Sequence, residues 1–135
     1  MTKASEIVLV VDDNYELRSL VRELLEFNGY RVLDASDGRE ARVICERYIG
    51  PIHLLLTDME MPGLSGPEVA RQIHVLRPDI EVLFMSAEPR ESLVRRGRLP
   101  AEAFFLQKPF RSEGLWQTVR MVLQASQAKC GKDKE

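Results

Sequence analysis

Five residues of this 135-residue chain have types and settings suited to phosphoryl chemistry: Asp12, Asp13, Asp58, Ser86 and Lys108. Asp12 and Asp13 close the apolar run IVLVV, Asp58 follows IHLLLT, Ser86 follows EVLFM, and Lys108 comes just after FFLQ. If those runs are neighbouring strands, three carboxylates, a hydroxyl and an ammonium converge on one rim. Clustered carboxylates repel, and they stay ionised at neutral pH only beside a cation. Lys108 supplies one positive charge, and a hard divalent cation would supply the rest. All-oxygen ligation without His or Cys suits Mg²⁺ better than Zn²⁺. A carboxylate, a metal, an ammonium and a hydroxyl are the parts that hold a phosphoryl group in line and spread its charge. One carboxylate would then be the nucleophile, accepting the group as an acyl phosphate.

Each of these residues has a plainer reading. An aspartate alone favours helix caps and turns. Ser86 alone is a loop hydroxyl, and Lys108-Pro109 alone is a turn whose cis or trans state the sequence leaves open. Only the set, at successive strand ends, argues for a site. His53 and His74 have no metal-ligand spacing and read as structural or surface residues. Gly63 and Gly66 lack a surrounding GxxxxGK[ST] or GxGxxG and read as turn glycines. Arg90, Arg95, Arg96 and Arg98 read as a solvated face or, alternatively, a docking surface. Leu115 and Trp116 read as core or rim of the last helix.

The elements that must position the site alternate between two periods. Ile7–Val11, with no polar interruption, has the pattern of a strand buried on both faces of a parallel sheet. Further strands are expected over 30–33, 52–57, 80–85 and 103–106. Between them run helical patterns: Leu17 to Leu25 after Asp12-Asp13-Asn14, a helix from about Asp37 to Gly50-Pro51, and one opened by Pro67 and stopped by Pro78. A basic helix is expected over 89–98, and a last one carries Leu115, Val119, Val122 and Leu123. From about residue 127 a charged tail is expected to fray. Parallel strands need crossover helices, so five strands alternating with five helices make an α/β doubly wound sheet. In such a sheet ligands collect beyond the carboxyl ends of the strands, where the five residues stand.

Hydrophobic residues make up 44% and charged residues 30%, which excludes wholesale disorder. The net charge of −2 carries no basic excess, so direct nucleic-acid binding is not expected. One domain fills 1–135, with a core over about 5–126. Cys45 and Cys130 are too few for a disulfide scaffold and read as free thiols in a reducing interior. The first apolar run is too short for a signal peptide or a membrane span, which points to a cytoplasmic protein without membrane contact.

VVDDN at 10–14, DMEMPGLSG at 58–66, MSAE at 85–88 and FLQKPF at 105–110 together resemble the receiver domain of bacterial two-component response regulators. The resemblance covers about residues 5 to 125. It implies a flavodoxin-like, CheY-like (βα)5 fold with strand order 2-1-3-4-5. It implies that Asp58 accepts a phosphoryl group from a histidine kinase or a histidine phosphotransfer protein, without the chain being a turnover enzyme. Asp12, Asp13 and Asp58, with the backbone carbonyl of Glu60, would hold Mg²⁺; Ser86 and Lys108 would bind phosphoryl oxygens. Ser86 and Phe105 would then move together and repack the face of helix four, strand five and helix five for a downstream protein partner or a homodimer. Ser86 stands where threonine is frequent, and Phe105 where tyrosine is common, so a switch through a phenolic hydroxyl is excluded. FLQKPF and SLVRRGRLP look more loosely like receivers attached to hybrid sensor kinases.

Three other readings compete, the first a degenerate receiver that only binds partners, which intact Asp13, Asp58 and Lys108 argue against. A haloacid-dehalogenase-type phosphatase would carry its nucleophile in a DxD after strand one, but Asp12 and Asp13 are adjacent. A flavin or dinucleotide binder needs a glycine-rich first loop, and here acid replaces the amide donors.

Overall fold

The computed structural model describes the backbone of residues 5–133 and the side chains of residues 5–126. Five strands and five helices alternate: β1 Ile7–Val11, α1 Tyr15–Phe27, β2 Arg31–Ala35, α2 Gly38–Arg47 and β3 Leu54–Asp58. They continue as α3 Gly66–Leu76, β4 Glu81–Ser86, α4 Arg90–Arg95, β5 Phe104–Gln107 and α5 Ser112–Asp133. All neighbouring strands are parallel, in the order β2-β1-β3-β4-β5. This is the doubly wound, flavodoxin-like sheet that the pattern and the resemblance imply.

Every residue of β1 and β3 is buried, because helices cover both faces. Ile7, Leu9 and Val11 join Ala41 and Cys45 of α2, Val69 and Ile73 of α3 and Leu93 of α4 in one core. Val8 and Val10 join Val21 and Leu25 of α1 with Leu115, Val119 and Val122 of α5 in the other. The two-residue period of the strand thus sends alternate side chains into separate layers.

Helix boundaries follow local chemistry. Asn14, Asp37 and Ser65 cap α1, α2 and α3, their side chains accepting the backbone N–H three residues on. Ser65 and Glu68 complete a capping box, which holds the Glu68 carboxyl below the usual carboxylate range. Arg77, forced out of helical geometry by the following Pro78, ends α3. Its guanidinium then reaches the carbonyls of Cys45 (3.1 Å), Tyr48 (2.6 Å) and Gly50, filling acceptors at the end of α2.

Several bounds differ from those expected. The Tyr30 N–H donates to the Leu25 carbonyl to close α1, so β2 starts at Arg31 and runs on through Asp34 and Ala35. Asp58 and Ser86 pair with Met85 and Gln107, which makes them the last residues of β3 and β4 instead of the first beyond them. The basic helix is shorter than 89–98: Gly97 takes φ +73° and Leu99 folds back into the core. Conversely α5 continues to Asp133 through the expected tail, which carries no proline to stop it. The Cys130 side chain lies outside the described residues. Cys45 is a buried free thiol, and burial pushes its pKa up.

Candidate functional site

Register puts the five residues on one edge. Val11 pairs with Thr57, so Asp12 stands level with Asp58 at the carboxyl ends of the two central strands. One oxygen from each of Asp12, Asp13 and Asp58 lies within 4.8 Å of the others. Asp12 is 0% and Asp58 8% exposed, whereas Asp13 faces solvent. Lys108 reaches over from the loop after β5, its Nζ 3.1 Å from Asp12 Oδ2 and 3.3 Å from Asp58 Oδ1. That loop is tied down by the Lys108 N–H donating to the Ser86 carbonyl at 2.8 Å, and Lys108-Pro109 is cis.

Burial pushes the Asp58 carboxyl above its ordinary pKa. Lys108 opposes the shift, the neighbouring Asp12 charge adds to it, and hydrogen bonds from Lys108 and the Glu60 backbone also oppose it. By count alone, one ammonium stands beside three carboxylates, which leaves the acidic cluster short of positive charge. The donors are all hard oxygens, with the exposed Asp13 open to solvent, and this set fits a small hard cation such as Mg²⁺.

Ser86 is buried at the end of β4, its hydroxyl accepting the Glu88 N–H at 3.0 Å. The Glu88 carboxylate accepts in turn from Ser92 and from Arg96 (2.9 Å), which pins α4 to this loop and keeps the Glu88 carboxyl below the usual range. Glu60 is exposed beside the acidic edge, and half-buried Phe105 pairs in register with Phe84. Beside Lys108 opens an apolar groove of about 620 Å³ lined by Leu17, Leu20, Leu24, Pro109 and Phe110. Residues expected to be structural are so: His53, before β3 at the opposite end of the sheet, accepts the Ile7 N–H at its Nδ1, and His74 is exposed on α3. Arg96 pairs with Glu88, and half-buried Trp116 carries the Arg120 guanidinium over its ring.

Three supports of the site were not anticipated. The Asn14 N–H donates to Asp12 Oδ1 at 2.9 Å, and Arg18 Nη1 donates to the Asp12 carbonyl at 2.7 Å. Gly66, expected to serve a turn as Gly63 does at φ +85°, has no positive φ. Instead α3 starts against the end of β3: a Cβ on Gly66 would stand 2.9 Å from Met59 Cα and closer still to the Asp58 carbonyl oxygen. In the sequence Gly66 is marked only by its place directly before Pro67, the first-turn proline of α3.

Known proteins resemble this chain in sequence and fold. The family model for the response regulator receiver domain matches residues 8–120. The sensor kinase CckA of Brucella abortus (strain 2308) is 34% identical over 122 residues, covering 89% of this chain and 13% of that protein. This chain therefore spans only a small part of that relative. Sporulation initiation phosphotransferase F of Bacillus subtilis (strain 168) is 28% identical over 119 residues, covering 88% of this chain and 94% of its own. Among solved structures, the Vibrio cholerae chemotaxis protein CheY4 superposes with a TM-score of 0.78 at 28% identity, over 88% of this chain and 99% of that one. A family match across most of the chain means that this protein, with its β2-β1-β3-β4-β5 sheet and acidic edge, belongs to the response regulator receiver domains of two-component systems.

Proposed function

We propose that Asp58 is the phosphoacceptor of this receiver domain, taking a phosphoryl group from a phosphohistidine on a histidine kinase or a histidine phosphotransfer protein. The observation that carries the reading is Lys108 Nζ bridging Asp12 and Asp58 at 3.1 and 3.3 Å on the carboxyl edge. An Asp58 oxygen attacks phosphorus, the phosphorus–nitrogen bond breaks, and its electron pair stays on the departing imidazole. Lys108 then balances charge on the transferring oxygens, and Ser86 is the hydroxyl that meets them. Asp12, Asp13 and Asp58, with the Glu60 carbonyl, are the groups that would hold Mg²⁺; when bound, the ion adds positive charge against the phosphoryl oxygens.

The domain is a phosphoacceptor that hastens its own phosphorylation and dephosphorylation, not a turnover enzyme. The groove beside Lys108 supports docking of the phosphohistidine-bearing partner, since it joins apolar area to the reacting edge. Output runs through Ser86 and Phe105 to the face of α4, β5 and α5, which engages a downstream protein or a second copy. The short α4, without a side-chain N-cap, supports that assignment. No helix among the described residues is long and apolar enough to cross a membrane, which accords with work in the cytoplasm.

The test is intact mass after incubation with acetyl phosphate, with and without Mg²⁺, alongside Asp58→Asn. A single phosphoryl adduct that needs Mg²⁺ and is missing in Asp58→Asn is the expected result. A folded wild-type protein that gains no adduct, or an adduct that persists in Asp58→Asn, refutes the assignment.

A further inference from the structure

We propose that Arg18 is a positioning residue for the acidic edge: it fixes the peptide joining Asp12 to Asp13, and through it the carboxylates that would hold Mg²⁺. The inference rests on the reading of those two aspartates as metal-holding groups.

Asp12 is fully buried, and each of its polar groups has a partner. Its N–H donates to the Ala35 carbonyl at 3.2 Å, Oδ1 accepts from Asn14, Oδ2 from Lys108, and its carbonyl from Arg18 Nη1 at 2.7 Å. That carbonyl belongs to the Asp12–Asp13 peptide. Its direction therefore sets the peptide plane, and the plane sets where the Asp13 side chain starts. A buried carbonyl stripped of its donor would rotate toward another partner or toward water.

The guanidinium is itself held. Arg18 Nε lies 3.5 Å from Asp34 Oδ2, its Cζ sits 5.5 Å from the Tyr15 ring centroid, and the side chain is 14% exposed. Asp34 pairs with Val10 in the sheet, so the anchor is the strand next to β1. Serving a carbonyl and a carboxylate at once, through Nη1 and Nε, needs the rigid fork of an arginine; a lysine ammonium is a single point. Arg22 provides the contrast. It pairs with the other Asp34 oxygen at 3.3 Å and with Glu26, and its contacts do not include Asp12.

The experiment is isothermal titration of the full chain with MgCl₂ for wild type, Arg18→Met, Arg18→Lys and Arg22→Met, with melting temperatures in EDTA for each. Loss of a group that orients metal ligands weakens metal binding by about 10-fold or more. Arg18→Met is expected to show that loss, and Arg18→Lys, which keeps the charge and most of the stem, to show it too. Arg22→Met is expected to bind like wild type. Arg18 variants that melt lower but bind Mg²⁺ like wild type would reduce Arg18 to a structural residue and overturn the inference. Equal weakening in Arg22→Met would overturn it as well, by tracing the effect to Asp34. Wild-type protein that does not bind Mg²⁺ overturns the inference together with the reading beneath it, whereas binding by wild type and Arg18→Met alike overturns the inference alone.

Discussion

Replacing Gly66 with alanine tests the fit of α3 against the end of β3. Where a glycine has room and an ordinary φ, alanine stabilises by about 0.4–1 kcal/mol, chiefly by stiffening the unfolded chain. Gly66 has the ordinary φ but not the room: its new Cβ would lie 2.9 Å from Met59 Cα and nearer still to the Asp58 carbonyl oxygen. Both obstacles are backbone. The Asp58 carbonyl also accepts from Thr57 Oγ1, and the Met59 N–H donates to the Met85 carbonyl, so the strand end cannot yield alone. Overpacking of this kind costs about 1–3 kcal/mol, which exceeds the unfolded-state gain. The expected net effect is a loss of ~1–2 kcal/mol, or roughly 4–8 °C in melting temperature for a chain of this size.

Gly114 in α5 is the internal control, because a Cβ there meets nothing within 4 Å. Gly114→Ala is expected to gain ~0.5 kcal/mol. The assay is urea unfolding of both variants, with acetyl phosphate labelling as a second readout, since movement of the Asp58 backbone shifts its carboxylate from Lys108. Variants that change stability in the same direction by the same amount would refute the argument. So would a Gly66→Ala protein as stable as wild type.

Three further outcomes follow from the site and its supports. The folded-state pKa of Asp58 is raised, so its contribution to stability is full below the unfolded pKa and is lost as pH rises through the folded one. Asp58→Asn should therefore melt above wild type at pH 7.5 without Mg²⁺, with the gap closing toward pH 4; a gap that widens on acidification contradicts the sign. Lys108→Met strips the ammonium from Asp12 and Asp58, a loss of about 3 kcal/mol for a buried pair left with one partner. Added Mg²⁺ should raise its melting temperature more than that of wild type, and an equal rise would show that the ion does not share the lysine's place. Arg77→Met frees the carbonyls of Cys45, Tyr48 and Gly50, and charge-assisted bonds of this kind are worth about 1.5–3 kcal/mol. Denaturant titration giving a loss within the ~0.5 kcal/mol of an ordinary surface change would count against that role.

What the sequence disclosed and what it hid divide along range of interaction. Asp12, Asp13, Asp58, Ser86 and Lys108 were legible because each ends or follows an apolar run, and a parallel sheet brings such ends to one edge. Arg18 was not. On its helix it occupies a polar position like any other, and its acceptor is a carbonyl at Asp12, a group no residue code reports. Gly66 was read as a turn glycine because its true constraint, the backbone of residues 58 and 59, exists only once α3 has packed. Arg77 likewise serves carbonyls 27 to 32 residues away. The strand ends shifted for a related reason: ladder bonds through Asp58 and Ser86 depend on the partner strand, not on the apolarity of the residue itself.

Lys108 joins the acidic edge to the segment that leads to α4. Its ammonium bridges Asp12 and Asp58, while its backbone N–H holds the Ser86 carbonyl. On the other side of Ser86, the hydroxyl accepts the Glu88 N–H, and the Glu88 carboxylate holds Ser92 and Arg96. Contiguity of contacts is not by itself coupling; an element with two available arrangements is also required. α4 has the properties of such an element, with six residues, no side-chain N-cap and only Leu93 fully buried. A helix that short is marginal without external contacts, and Glu88 supplies several of them. A phosphoryl group on Asp58 would place new negative charge against the lysine whose main chain fixes Ser86. It would also give the Ser86 O–H an oxygen to donate to, and turning toward that oxygen draws the hydroxyl away from the Glu88 N–H it now accepts. The proposed switch thus follows from one hydroxyl and one ammonium drawn toward the phosphoryl oxygens, with the short, uncapped α4 held by the contacts they would disturb.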